Sequence, residues 1–274
     1  MSEPSAAICT ELEEIELREN VRILYAVESG SRAWGFSSPD SDYDVRFLFV
    51  RPATDYVRLR SLRDVIELPI DTSLSNPLDI NGWDLVKALN LFRSSNPPLL
   101  EWLYSPLVYR EQGDLAATLR TLAQESYSPM RMSYHYLSMT RRTYKEHLEG
   151  RAEVSLKKYL YALRPLFAIQ WMEQHGTPPP THFDRTVAGI TIAHEIRSKL
   201  SGLLQRKRLG GETGAEAKDA VLTDFIESEM ERISGLVREL PDPEMPEEPL
   251  NSLLWAELGL QETESRKDGL EHGN

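Results

Sequence analysis

Cysteine is nearly absent from this chain: Cys9 is the only one in 274 residues, so no intramolecular disulfide can form. That scarcity fits a reducing cytoplasm. Long apolar runs are missing too, and none approaches the roughly 20 residues needed to span a bilayer. The segment Met1–Glu16 is polar and acidic, without the basic and apolar regions of a signal peptide. The expectation is a soluble, cytoplasmic protein with no membrane partner. The six histidines, at 135, 147, 175, 182, 194 and 272, are dispersed without metal-binding spacing. No Gly-x-x-x-x-Gly-Lys-Ser/Thr loop occurs, which leaves a P-loop NTPase unsupported. Internal repeats are also lacking.

Positive charge is scarce overall, with a net charge of −12 that argues against indiscriminate nucleic-acid binding. Its distribution is uneven. Residues 129–165 hold eight Lys/Arg against three Glu, a local balance of +5 that leaves −17 to the rest. Tyr134, Tyr136, Tyr144, Tyr159 and Tyr161 are interleaved with those bases. Cations can hold phosphates and aromatic faces can stack on unpaired bases, so an RNA partner stays open. The competing reading is a helical surface whose tyrosines are packing residues.

What the chain does have is a dense run from Tyr25 to Val50. The apolar stretch Val21–Val27 reads as a strand, Gly30-Ser31 opens the next element, and Asp42 and Asp44 head a second strand-like run, Val45–Val50. Residues i and i+2 of a strand share a face, so both carboxylates project together. Two such groups repel unless a cation sits between them, and an oxygen-only set suits Mg²⁺ supplemented by substrate phosphates. Backbone amides and a hydroxyl at a turn such as Gly30-Ser31 can hold phosphate oxygens. A calcium loop starting at Asp40 fails, because its sixth and twelfth positions hold Val45 and Arg51 rather than Gly and Glu. A plain Asx turn accounts for Asp40 but not for a pair that continues into the strand.

Gly30-Ser31, ten intervening residues, and Asp42-Tyr43-Asp44 followed by apolar residues resemble the nucleotidyltransferase signature of the DNA polymerase β superfamily. With Arg32, Gly35 and Ser41 included, the pattern is similar to a bacterial and phage branch of RNA-repair-pathway polymerase-β-like proteins. Asp79-Ile80-Asn81-Gly82-Trp83, the run Asn96–Leu103 and Lys157-Lys158-Tyr159-Leu160 extend the resemblance over most of residues 20–205. It implies transfer of a nucleotide from an NTP to an acceptor hydroxyl, with two Mg²⁺ ions (Mn²⁺ as a substitute) held by Asp42, Asp44 and a third carboxylate. Asp79 is the choice for that third group, as a residue ending a strand and introducing a helix; Asp71 is the runner-up and Asp84 a weaker option. Asn81 could cap that helix. Gly30 and Ser31 are the expected phosphate contacts. Arg32 either adds charge there or pairs with a nearby Asp. Lys157, Lys158, Tyr161 and Arg164 are the expected triphosphate ligands from a closing helical domain; the alternative is solvated bases flanking a core helix. The acceptor implied is an RNA end, with a protein hydroxyl or a catalytically silent nucleotide-binding module as alternatives.

The alternating pattern of the first part points to an α/β or α+β layer with a mostly buried sheet. With the resemblance, the expectation is an α+β fold: a small mixed β-sheet nucleotidyltransferase domain (1–112), an α-helical domain (113–240) and an acidic, Pro-containing tail (241–274). Asp64–Ile70 reads as a further strand, and Gly82–Arg93 and Leu99–Tyr104 as helices. Beyond Asp114 strand signals vanish, and helices are expected at 114–125, 130–149, 155–174, 187–206 and 214–238. Leu156, Leu160, Leu163 and Phe167 form a buried stripe in the third of these, which Pro165 interrupts. Residues 209–214 read as a mobile connection. The tail carries nine acidic and two basic residues, and its segment Leu250–Leu260 is apolar enough to dock on the body.

Overall fold

The computed structural model describes residues 3–72, 74–210 and 215–260. In chain order, helix α1 (Glu3–Glu19) leads into strand β1 (Arg22–Glu28), the short helix α2 (Gly30–Trp34) and strand β2 (Tyr43–Val50). Strands β3 (Val65–Glu67) and β4 (Leu78–Asp84) follow, then helices α3 (Leu85–Arg93) and α4 (Pro97–Leu103), and strand β5 (Val108–Glu111). The remainder is mainly helical: α5 (Leu115–Ser126), α6 (Pro129–His147), α7 (Leu156–His175), α8 (Phe183–Gly189), α9 (His194–Leu209), α10 (Ala220–Leu236) and α11 (Glu247–Leu258). The sheet order is β3-β4-β2-β1-β5, with β2 and β4 parallel and the other neighbours antiparallel. This is a mixed sheet followed by helices, the α+β class expected.

Strands β1 and β2 read as near-continuous apolar runs because they lie at the centre of the sheet, covered on both faces. One face packs Ile23, Ala26, Val45, Phe47, Phe49, Leu78 and Ile80 under Ile8, Leu12 and Ile15 of α1. Burying a Phe side chain contributes roughly 1.5–3 kcal/mol, so Phe47 and Phe49 anchor this layer. The other face, with Leu24, Val27, Leu48 and Val50, is continuous with the core of the helical part through Phe36, Leu100, Leu160, Leu163 and Phe167. A register shift between Ile23 and Tyr25 breaks the alternation of β1 and lets both Leu24 and Tyr25 join that second core.

Several boundaries differ from the sequence expectation. Helix α1 occupies a segment read only as polar, because its three core residues are spaced along an otherwise acidic stretch. The helix expected from Gly82 starts at Leu85, and residues 78–84 are a strand whose burial alternates strictly. Asp84, not Asn81, caps that helix by accepting from the Val86 amide at 2.9 Å. The strand expected over Asp64–Ile70 shortens to three residues. The helix expected over 187–206 divides into α8 and α9 around Ile190. Strands also occur beyond Asp114: β6 (Glu153–Ser155) pairs with β7 (Ala215–Ala217). Pro165 lies inside α7, which remains one helix of 20 residues. Of the expected connection over 209–214, residues 211–214 lie outside the described residues, as does the tail beyond 260. Helix α11 docks on α3, with Leu250 buried and Arg93 paired to Glu247 at 2.5 Å.

Candidate active site

Parallel pairing of β2 with β4 sets Asp44 directly opposite Asp79. Asp79 therefore opens a strand instead of ending one, and it reaches Asp44 through sheet register. Asp42 lies one residue before β2 and is exposed. Its charge acts on Asp44, as does that of Asp79. Between Asp44 and Asp79 sits Arg46, whose Nη2 donates to Asp44 Oδ1 at 3.2 Å and to Asp79 Oδ2 at 2.8 Å. Its Nη1 donates to the Val45 and Asp79 carbonyls at 2.9 and 3.0 Å. Asn81 Nδ2 donates to the other Asp79 oxygen at 2.6 Å.

The Asp44 carboxyl is pushed above the ordinary Asp range, first by burial and then by Asp79 and Asp42, while Arg46 and Lys157 oppose the shift. Lys157, at the start of α7, thus faces the carboxylates from the helical side. Gly30 touches them from below. Its φ of +59° is a left-handed value, and an added Cβ would lie 2.0 Å from Asp44 Oδ2. Glycine here serves both the turn and the close approach of a carboxylate. The Asp44 amide donates to the buried Glu28 at 2.9 Å, and Tyr109 holds the other Glu28 oxygen.

The loop that carries Asp42 is fastened from several sides. Arg32 donates to the carbonyls of Asp42 at 3.0 Å and Ser41 at 2.7 Å, and its guanidinium lies 3.9 Å above the Tyr43 ring. Its hydrogen bonds therefore brace the loop through main-chain oxygens, neither pairing with an Asp side chain nor leaving the group loose. Asn76 donates to the Pro39 and Ser41 carbonyls, both at 2.9 Å. Ser41 is fully buried and bonds to the Ser38 amide and hydroxyl at 3.0 and 3.1 Å. From α9, buried Lys207 donates to Ser38 Oγ at 2.7 Å, and Arg208 reaches the Gly35 carbonyl at 2.8 Å.

The remaining expected residues divide into two groups. Lys157 and Lys158 both lie over the Tyr161 ring, at 5.6 and 5.9 Å from its centroid, and Tyr161 packs edge-on against Trp34 of α2. Ser31, at the start of α2, is buried. Arg164 is placed differently. It is 7 % exposed, pairs with Glu101 at 2.6 Å and stacks 3.9 Å over Trp34. Trp34 Nε1 and Tyr136 Oη also donate to Glu101, at 3.1 and 3.0 Å. Arg164 thus binds α2, α4, α6 and α7 into one unit instead of offering its charge to a phosphate. Asp71 stands one strand further out and is exposed; Asp84 is committed to Val86 and Tyr56.

Most of the interleaved tyrosines are packing residues. Tyr136 and Tyr159 are buried, Tyr144 bonds to Glu227, and Tyr134 is the exposed one at 42 %. Among the described residues no three His, Cys, Asp or Glu side chains come together as a metal cage. What the donor set does offer is one point, occupied by Arg46 Nη2, where two carboxylates already bind a positive charge. That arrangement fits an ion held by two carboxylates and completed by substrate phosphates. Arg46, Lys207 and Glu101 belong to the site's framework although no local sequence pattern marks them for it.

The site thus joins a mixed sheet, a glycine turn and the strand that follows Asp42 and carries Tyr43 and Asp44. The sequence profile of the RNA repair pathway DNA polymerase beta family matches residues 5–256, and the chain belongs to that family. It is 49 % identical over 233 residues to the uncharacterized protein YcgL of Bacillus subtilis (strain 168), covering 85 % of this chain and 88 % of that protein. A solved nucleotidyltransferase-like protein from Exiguobacterium sibiricum 255-15 aligns over 93 % of this chain and 81 % of its own, at 12 % identity and a TM-score of 0.30. Among the described residues no helix is long and apolar enough to cross a membrane.

Proposed function

We propose that this chain moves a nucleoside monophosphate from an NTP to an acceptor hydroxyl, with an RNA end as the acceptor. The acceptor oxygen bonds to the α-phosphorus as the bond to the bridging oxygen breaks and pyrophosphate leaves. The family supports nucleotidyl transfer, and the observation that carries the residue assignment is the in-register pairing of Asp44 with Asp79 beside Gly30. Asp42, Asp44 and Asp79 are the residues that would hold Mg²⁺, or Mn²⁺ in its place. Bound there, such ions supply charge neutralisation at the attacking and leaving oxygens. Gly30 and Ser31 face the phosphates with main-chain amides, Lys157 and Lys158 close on them from α7, and Asp79 takes the acceptor's proton. The family description supports RNA over other acceptors.

The test is transfer from each α-labelled NTP, with Mg²⁺ or Mn²⁺ and a mixed single-stranded RNA pool, for the wild type and for Asp42→Ala/Asp44→Ala. Labelled RNA that depends on metal and disappears in the double variant is the expected result. Label on protein would replace the acceptor, and transfer that survives the double substitution would remove the assignment altogether.

A further inference from the structure

Arg46 is two residues beyond Asp44 on the same strand, so its side chain rises on the carboxylate face. Its side chain is only 18 % exposed, and its hydrogen bonds among the described residues converge on one place: the two carboxylates and the carbonyls of Val45 and Asp79. With guanidinium present, the Asp44–Asp79 pair carries a net charge of −1 instead of −2. A tethered cation also differs from a dissolved one, since dilution does not remove it.

We propose that Arg46 is a resident cation at the Asp44–Asp79 pair, and that a divalent ion enters this position by displacing it. This rests on the metal-dependent reading above. Two consequences follow from the charges. Without nucleotide, the ion competes against a bonded guanidinium for a singly charged pair, and binds weakly. With nucleotide, the triphosphate brings the missing negative charge and gives Arg46 an alternative anion, so ion and NTP bind cooperatively. The arginine would thereby keep the carboxylates aligned across the sheet in the resting protein and make metal occupancy depend on substrate.

The measurement is a Mn²⁺ titration followed by electron paramagnetic resonance, on the full chain, with and without a non-hydrolysable NTP analogue. The variants are Arg46→Gln, Arg46→Lys, Asp44→Asn and Arg46→Gln/Asp79→Asn. Expected without nucleotide is at least tenfold tighter Mn²⁺ binding by Arg46→Gln than by wild type, a gain lost in the double variant. Wild type should recover much of that gap when the analogue is present. Arg46→Lys keeps the charge but cannot bond both carboxylates and both carbonyls at once, so it should fall between the two. Equal Mn²⁺ affinity for wild type, Arg46→Gln and Arg46→Lys, with Asp44 still required, overturns the resident-cation proposal and leaves the metal reading intact. If Arg46→Gln does not fold, an Arg46→Lys affinity equal to wild type overturns it alone. No Asp44-dependent Mn²⁺ binding in any protein, even with the analogue, overturns both.

Discussion

Lys207 Nζ donates to Ser38 Oγ at 2.7 Å, joining residues 169 positions apart in the chain. The lysine is 2 % exposed, and Ser38 in turn bonds to Ser41, the neighbour of Asp42. A charge buried at the end of α9 therefore fixes the loop that presents a proposed metal ligand. Lys207→Met keeps most of the volume and removes the charge-assisted bond, a loss on the order of 1.5–3 kcal/mol. The effect on transfer should exceed the effect on stability, because a small misplacement of Asp42 is amplified at the reacting centre. Expected are a tenfold or greater fall in kcat with KM for NTP little changed, measured beside a urea denaturation curve. A variant with unchanged kcat would show that the loop needs no such support.

The ion pair of Glu101 with Arg164 should dominate the stability of the junction between sheet and helices. Both side chains are nearly buried, and Glu101 also accepts from Trp34 and Tyr136. Removing one partner strands the other charge, which costs about 3–5 kcal/mol. Arg164→Met should fall in that range, whereas adding Glu101→Gln to it should cost clearly less than the two single changes summed. A double-mutant cycle by chemical denaturation reads this coupling. Additive losses would mean that the pair is not electrostatically coupled.

The pattern of what could be read from sequence follows from range. Gly30 and Asp44 are legible because the turn and the head of β2 lie close together in the chain, whereas Asp42 stands one residue before the strand. Strands β1 and β2 were visible because both of their faces are buried. Asp79 was picked for its place in a motif, but its actual route to Asp44 is the register of a parallel strand, which no local pattern encodes. That strand contains Asp79, Asn81, Gly82 and Asp84, all poor strand formers, and its pairing with β2 overrides their propensity. The same limit explains Arg164. The expectation grouped it with Lys157, Lys158 and Tyr161 on the closing helical domain, whereas its partner Glu101 lies on α4, outside any local pattern. Lys207 is illegible for the same reason, since its partner Ser38 lies 169 positions away.

Acid should unfold the helical part through Asp219 and Asp242. Burial pushes the Asp219 carboxyl up, but Lys199 at 2.8 Å and the Leu222 amide at 3.1 Å outweigh it, leaving the group below the ordinary Asp value. The Ser128 hydroxyl at 2.7 Å, with Arg131, lowers the Asp242 carboxyl although burial opposes them. A carboxyl depressed in the folded state adds stability above its unfolded value of 3.8, and that stability is lost as pH falls through the folded value. The Tm of Asp219→Asn/Asp242→Asn should therefore lie below wild type at neutral pH and converge with it below about pH 3. A gap that persists undiminished at low pH would assign the effect to geometry instead of charge.

Gly30→Ala separates the two demands placed on that glycine. The left-handed φ of +59° costs any other residue of order 1–3 kcal/mol, which a stable core can absorb. The contact is less forgiving: a methyl group 2.0 Å from Asp44 Oδ2 must drive the carboxylate off its position opposite Asp79. Since Asp44 also accepts from Arg46, that movement disturbs both the carboxylate pair and its cation. The expected variant is folded, with a Tm lower by several degrees, and loses transfer activity by a hundredfold or more. Asp44→Ala in the same background should add little further loss, because the carboxylate has already been displaced. If Gly30→Ala instead retains activity at a reduced Tm, the glycine serves the turn alone and Asp44 tolerates the crowding by rotating within its place.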